Sequence, residues 1–280
     1  MCPVAGITSG PVGSTLNGAA IRAAAAALAT AEKTGTQIRL LSEDHPTITM
    51  DDAYAIQAEW VRMKCAAGDT IIGWKIGLTS RAMQSALGID IPDSGVLLGS
   101  MTFPNGGIVP AGRFIQPRIE AEIAFVMKHD VPADATPAEI AEATDYIAPA
   151  LEILDTRITR ADPETGRMRT VFDTISDNAA NGGIVLGAPV HDFRPEDLPW
   201  IGAILSRDDQ IEETGLGAGV LGDPLLSMSW LAQRLGVYGQ GIRKGQIVLS
   251  GSFIRPVEAP PGSKILGDFG PFGRVEIAFG

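Results

Sequence analysis

Apolar and polar positions change rhythm about a third of the way along the chain. Over the first ninety residues the spacing is mainly helical. Alanines around Ile21 and Leu28, in a run ending at Glu32 and Lys33, predict a surface helix packed through small residues. A second helix is expected to be capped by Asp51 or Asp52, to take its apolar stripe from Tyr54, Ile56, Trp60, Val61 and Met63, and to stop at Gly68. Residues 70–76 alternate like a strand, and Ser80 to Gln84 predicts a short helix ending at Gly88.

Past residue 90, glycines and prolines punctuate short apolar runs, the texture of a sheet-rich roll or sandwich. Strands are predicted at 118–127, 146–158, 184–186, 203–214 folded at Asp208-Asp209, 247–249, 253–257 and 274–279. Two helices interrupt them. Thr136, Pro137 and Glu139 supply a cap, a first-turn proline and the acid of a capping box, and Asp223-Pro224 repeats the device before Trp230, Leu231 and Leu235. The fold class is α+β, with a mainly helical part over residues 1–95 and a β-rich part over 96–280.

Composition narrows the partners. The chain has 280 residues, 45% of them hydrophobic and 20% charged, enough to bury a substantial core. Its net charge of −11 repels phosphate backbones and anionic bilayers, which excludes nucleic acid and membrane surfaces as partners. Residues 1–21 are uncharged but broken by Pro3, Gly6, Gly10, Pro11, Gly13, Asn17 and Gly18, so they predict a frayed leader and no membrane span or signal peptide. Cys2 and Cys65 are too few for a disulfide framework and lack zinc-type spacing, which suits the reducing cytoplasm.

The candidate chemistry is acidic. In the run from Arg118 to Val126, Arg118, Glu120 and Glu122 alternate with Ile119, Ala121 and Ile123. Carboxylates two positions apart stand roughly 7 Å apart at their backbones and can converge on one cation, although a solvated strand face reads the same way. Glu152 interrupts the apolar run 149–155, where a carboxylate is costly unless paired or metal-bound. If its strand neighbours the first, three oxygen ligands meet, a set suited to Mg²⁺ or Mn²⁺. Lys75 stands among apolar neighbours, where its pKa falls unless an acid partners it. Asp93, in Pro92-Asp93-Ser94-Gly95, is a candidate partner or a turn former. Ser250-Gly251-Ser252 offers amides and hydroxyls to a carboxylate, or is an ordinary strand-to-turn joint. The run Gly217 to Gly222 matches a dinucleotide fingerprint only formally, with no acid about 20 residues later.

Four segments together are recognisable: Gly73-Trp74-Lys75-Ile76-Gly77-Leu78-Thr79-Ser80, Arg118 to Glu122, Ala150 to Ile153, and Phe172-Asp173-Thr174-Ile175-Ser176-Asp177-Asn178-Ala179. In this order they resemble the 2-keto-4-pentenoate hydratase group of the fumarylacetoacetate hydrolase superfamily, and within it the branch acting on 2-oxohept-4-ene-1,7-dioate. The resemblance runs from about Leu40 to the C-terminus. It implies a mixed β-roll, a homo-oligomer built from dimers, Mg²⁺ held by Glu120, Glu122 and Glu152, proton handling by Lys75 with Asp93, and substrate near Gly251 and Ser252.

The implied reaction protonates C5 of a 2-hydroxy-2,4-dienoate and adds water at C4, giving a 4-hydroxy-2-oxo acid in aromatic catabolism. A seven-carbon substrate has a far carboxylate, which the resemblance implies is bound by one of Arg157, Arg160, Arg167 and Arg169, Arg157 first among them, although four arginines on a polar loop equally form a solvated surface. Two alternatives stay open: a 4-oxalocrotonate-type decarboxylase sharing the metal site, and a non-catalytic partner subunit of such a decarboxylase complex.

Overall fold

The computed structural model describes residues 13–81, 84 and 91–280; the expected leader, Cys2 and the helix end at Gly88 lie outside the described residues. Helix α1 (Gly18–Thr34) is capped by Asn17, whose side chain accepts from the amides of Ala19 and Ala20, and Gly35 closes it in the left-handed region. Its alanine face, Ala24, Ala25 and Ala31 with Leu28, is buried. After the single turn α2 (Leu41–Asp44) comes α3 (Met50–Ala66), which packs along α1.

The cap of α3 is Thr49, not Asp51 or Asp52. Asp52 is the capping-box acid and also accepts from Ser14, Thr15 and Leu16, tying the chain ahead of α1 to α3. Burial would raise its carboxyl, but hydrogen bonds from Ser14, Leu16 and Thr49 outweigh it and hold the group well below the usual carboxylate range. Cys65 is disulfide-bonded.

Strands β1 (Ile71–Gly77), β2 (Asp93–Leu98), β3 (Thr102–Phe103), β4 (Gly107–Val109) and β5 (Arg118–Met127) follow. Then come α4 (Pro137–Ala143), with the Thr136–Glu139 capping box in place, β6 (Thr144–Leu154), α5 (Val171–Ser176) and β7 (Asn181–Leu186). The hairpin of β8 (Gly202–Arg207) and β9 (Gln210–Leu216) turns at Asp208 and Asp209, both left-handed. Helix α6 (Pro224–Val237), capped by Asp223, precedes β10 (Ile247–Ser252), β11 (Val257–Glu258), β12 (Lys264–Asp268) and β13 (Arg274–Phe279). The predicted strand 253–257 shrinks to the two residues of β11, and that at 146–158 stops at Leu154.

One sheet runs β2-β1-β10-β5-β6-β7-β3, with β11 paired to β5; a second runs β4-β13-β12-β8-β9. β1 pairs parallel with β10 and antiparallel with β2, so the boundary expected at residue 95 falls inside β2. In a flat sheet β1 and β6 would stand about 14 Å apart, three strand spacings. Yet Lys75 of β1 pairs with Glu152 of β6, and β2 approaches β7, so the sheet curls into a roll. Inside it Leu97, Ala124, Ala150, Ile184 and Leu249 form a small apolar plug. Outside, α3 and α6 cover the sheet and β13 lies against β6 and β7. No helix among the described residues is long and apolar enough to cross a membrane.

Candidate active site

Above the plug, six neighbouring strands turn polar groups into the roll, two of them from β5. β5 contributes Glu120 and Glu122, and β6 sets Glu152 directly opposite Glu120 in an antiparallel pair. Glu122 and Glu152 have no exposed surface, and Glu120 is half-buried. The three present carboxylate oxygens all within 4.8 Å of one another.

The cation facing them is Lys75 of β1, 3% exposed, whose Nζ lies 3.3 Å from Glu152 Oε1 and donates to the Ala179 carbonyl at 3.1 Å. Asp93 of β2 is the register partner of Gly77, two residues on from Lys75 on the same face. A Cβ at Gly77 would strike both Asp93 Oδ1 and Lys75 Nζ, so only glycine lets the two functional groups approach. Asp93 thus opens a strand beside Lys75 and is not part of a turn.

The charges shift one another strongly. Burial and then repulsion from Glu152 push Glu120 up to about 8. Burial, Glu152 and Glu120 push Glu122 well above the carboxylate range. Burial alone would lower Lys75, but attraction to Glu152, Asp93, Glu120 and Glu122 outweighs it and the ammonium is held more firmly than in water. Burial raises Asp93 to about 6 against the pull of Lys75.

One ammonium cannot neutralise this many acids. Glu122 Oε1 and Glu152 Oε2 are buried with no hydrogen-bond partner. Orphaned carboxylate oxygens at this spacing fit a hard divalent cation, which takes oxygen ligands and supplies the missing charge. The alternation of Glu120 and Glu122 and the isolated Glu152 thus converge as anticipated.

Other anticipated residues do different work. The amide of Gly251 donates to Glu122 Oε2 at 2.8 Å, and the Ser252 hydroxyl donates to the Ile254 carbonyl at 2.8 Å. Gly251 therefore orients a glutamate, and at φ +120 with Thr79 against it no side chain fits there. Arg157 is engaged inside the chain. It is 3% exposed, its guanidinium binds Asp177 and the carbonyls of Asp177 and Asn181, and it stacks on Trp60. Its position is that of an internal clamp.

Several contributors had no sequence signal assigned to them. Asn181, the first residue of β7, donates to Glu152 Oε1 at 2.7 Å while its own Oδ1 is buried and unpartnered. The Ala179 carbonyl belongs to a turn of three successive left-handed residues, Asn178, Ala179 and Ala180. The Asn178 amide docks that turn on β2 by bonding both backbone groups of Val96. A polar residue opening an apolar strand was the available hint for Asn181; nothing in two alanines announces a left-handed turn.

Comparison with known proteins places this site in context. No family model matches the chain. The chain is 49% identical over 252 residues to a 2-oxo-hept-4-ene-1,7-dioate hydratase of Escherichia coli, covering 89% of this chain and 94% of that protein. It is 37% identical over 257 residues to a 2-keto-4-pentenoate hydratase of Paraburkholderia xenovorans, covering 91% and 93%. The solved structure of 4-oxalocrotonate decarboxylase from Pseudomonas putida G7, complexed with magnesium and adipate, superposes with a TM-score of 0.87 at 31% identity, covering 95% of this chain and 99% of that one. The chain belongs to the 2-keto-4-pentenoate and 2-oxo-hept-4-ene-1,7-dioate hydratase family.

Proposed function

We propose that the protein is a Mg²⁺-dependent hydro-lyase of aromatic catabolism that adds water to 2-hydroxy-2,4-dienoates, with 2-oxohept-4-ene-1,7-dioate as its substrate and 4-hydroxy-2-oxoheptane-1,7-dioate as product. The observation that carries this is the set of three converging carboxylates, two with orphaned oxygens, facing a buried ammonium. Glu120, Glu122 and Glu152 would hold the ion, Mg²⁺ or Mn²⁺ by donor type. When bound, it supplies Lewis-acid stabilisation of negative charge on the 2-oxygen of the substrate.

The chain's own residues do the rest. Gly251 and Asn181 fix two of the glutamates, which keeps the carboxylates in place when the roll is empty. Lys75 holds a positive charge beside the developing enolate and is oriented by the Ala179 carbonyl. Asp93, next to Lys75, is the group that exchanges a proton with C5 and with the water added at C4. The buried apolar plug lies on the same sheet face as the carboxylates and lowers the polarity around them.

Association into a homo-oligomer is part of the proposal. Trp200, Ile204, Ile211 and Leu216 are exposed on and beside the β8–β9 hairpin, an apolar surface suited to a second copy or to a decarboxylase partner. Sedimentation velocity tests it: a monomer at working concentration rejects the oligomer.

The deciding assay offers the Mg²⁺-loaded protein 2-hydroxyhepta-2,4-diene-1,7-dioate, 2-hydroxypenta-2,4-dienoate and 4-oxalocrotonate. Loss of dienoate absorbance without CO₂, abolished in Glu120→Ala, is the expected result. CO₂ release from 4-oxalocrotonate would make the protein a decarboxylase instead, and silence on all three rejects the catalytic reading.

A further inference from the structure

Between β6 and α5, residues 160–169 form a hairpin in which Ala161 bridges Met168 and Arg169 N donates to Arg160 O at 3.0 Å. Asp162 fixes its turn by accepting from the amides of Glu164 and Thr165. Arg160 and Arg169 are thereby held opposite each other across the stem, an arrangement of like charges that destabilises a hairpin. Both are half-buried. Arg118 joins them from β5, where it shares a face with Glu120 and Glu122 at the outer end of the strand, and its Nε is buried with no partner.

Of the nearby acids, Asp93 attracts Arg169 and keeps one oxygen unpartnered, while the others are committed. Asp155 accepts from the amides of Ile115 and Gln116, Asp177 holds Arg157, and Asp173 accepts from Ser42 and Thr170. Glu258, largely exposed, reaches Arg118 at 3.0 Å. Among the described residues Arg160 hydrogen-bonds only Gln116, at 3.3 and 3.4 Å, and Arg169 bonds the Thr156 hydroxyl at 2.9 Å. Burial, then repulsion from Arg118 and Arg169, pushes Arg160 down to about 10. Glu258 at the surface meets Arg118 and Asp93 within attracts Arg169, but neither Arg160 nor Arg169 hydrogen-bonds a carboxylate among the described residues, which leaves a half-built anion site.

Its distance from the glutamates is set by the strand. Arg118 lies two residues from Glu120, roughly 7 Å along β5, the span of an extended seven-carbon chain whose 2-oxo acid end sits at the carboxylate cluster. We infer that Arg160 and Arg169, with Arg118, form the subsite for the far carboxylate of a dicarboxylic dienoate, an inference that rests on the hydratase function proposed above. The subsite sets preference for a dioate over a five-carbon monocarboxylate, which has nothing to place there.

The test compares full-length Mg²⁺-loaded protein with Arg160→Met and Arg169→Met on 2-hydroxyhepta-2,4-diene-1,7-dioate and 2-hydroxypenta-2,4-dienoate, alongside calorimetric binding of heptanedioate and pentanoate. The expected result is a fall of about 10- to 100-fold in the dioate-to-monoacid ratio of kcat/KM, expressed in KM, with heptanedioate affinity falling in step. Thermal unfolding without metal separates this from misfolding: relief of repulsion should leave the variants no less stable than the parent. An unchanged ratio, or equal losses on both substrates, overturns the subsite. If the parent turns over neither dienoate, the hydratase function fails, and heptanedioate binding still decides the subsite by weakening or not in the variants.

Discussion

Glu120 on β5 stands directly opposite Glu152 on β6, a like-charged cross-strand pair in the interior of a curled sheet. Directly opposed like charges destabilise a sheet, so the pair marks a place where the fold gives up stability for charge density. Removing one charge should separate the two effects. Glu120→Gln is expected to raise the unfolding temperature in EDTA above about pH 8, where Glu120 is ionised, while weakening Mg²⁺ binding by more than the roughly 10- to 100-fold typical of outer-shell changes. Calorimetry with and without Mg²⁺ reads both, and an unaltered Mg²⁺ affinity rejects the ligand role.

The same cluster fixes a pH dependence. Glu120 titrates near 8 in the fold and near 4.5 as a model carboxylate, because burial and Glu152 disfavour its charge. Between those values the folded protein holds protons that the unfolded chain has lost, so stability falls as pH rises. Asp93, raised to about 6, adds to the lower half of that window. Metal-free protein should therefore lose denaturant resistance from about pH 5 to pH 8, and Mg²⁺ should flatten the slope. Below about pH 4 the sign reverses, because Asp52 must then be protonated against its network.

Lys75 is the only cation placed against Glu152 among the described residues. Lys75→Met leaves a buried carboxylate without its partner, and breaking such a pair costs about 3–5 kcal/mol. Urea unfolding in EDTA is expected to show that loss, and turnover to fall even when Mg²⁺ restores the fold. A variant with full turnover would remove Lys75 from the site.

Gly77 tests positioning without touching a functional group. Gly77→Ala drives a methyl between Asp93 and Lys75, and a misplacement of about 1 Å can cost on the order of a hundredfold in rate. The fall should appear in kcat and leave Mg²⁺ affinity near that of the parent, as read by titration.

Arg157→Lys separates a structural arginine from the hairpin pair. Its guanidinium makes bonds to Asp177 and Asn181 that an ammonium cannot reproduce together, so a loss of stability is expected. The preference between long and short dienoates should not change, and a changed preference would return Arg157 to the ligand site.

Much of the site was legible because periodicity reports which side chains share a face. The span of β5 and the shared face of Glu120 and Glu122 follow from alternation alone, and Glu152 stands out as a charge in an apolar run. Burial and pairing do not leave such a trace. Arg157, Arg160 and Arg169 look alike in sequence; tertiary packing puts the first under Trp60 and leaves the other two facing each other. Pro92-Asp93-Ser94-Gly95 leaves Asp93 open between a partner of Lys75 and a turn former, and pairing with β1 overrides that turn chemistry. The early start of β7 at Asn181 and the strand β12 were missed for the same reason, because ladder partners set them.

The curl of the central sheet also orders the events of folding. Glu122 meets Gly251 across 129 positions of chain, and Lys75 meets Ala179 across 104. Contacts this remote close late, after loop entropy has been overcome for every intervening strand. A chain still missing β10 has its glutamates on β5 and β6 but neither the amide that turns Glu122 inward nor the neighbour that carries Lys75. Nascent or truncated copies therefore cannot sequester a divalent ion in the finished geometry, and tight metal retention becomes a signature of the completed roll.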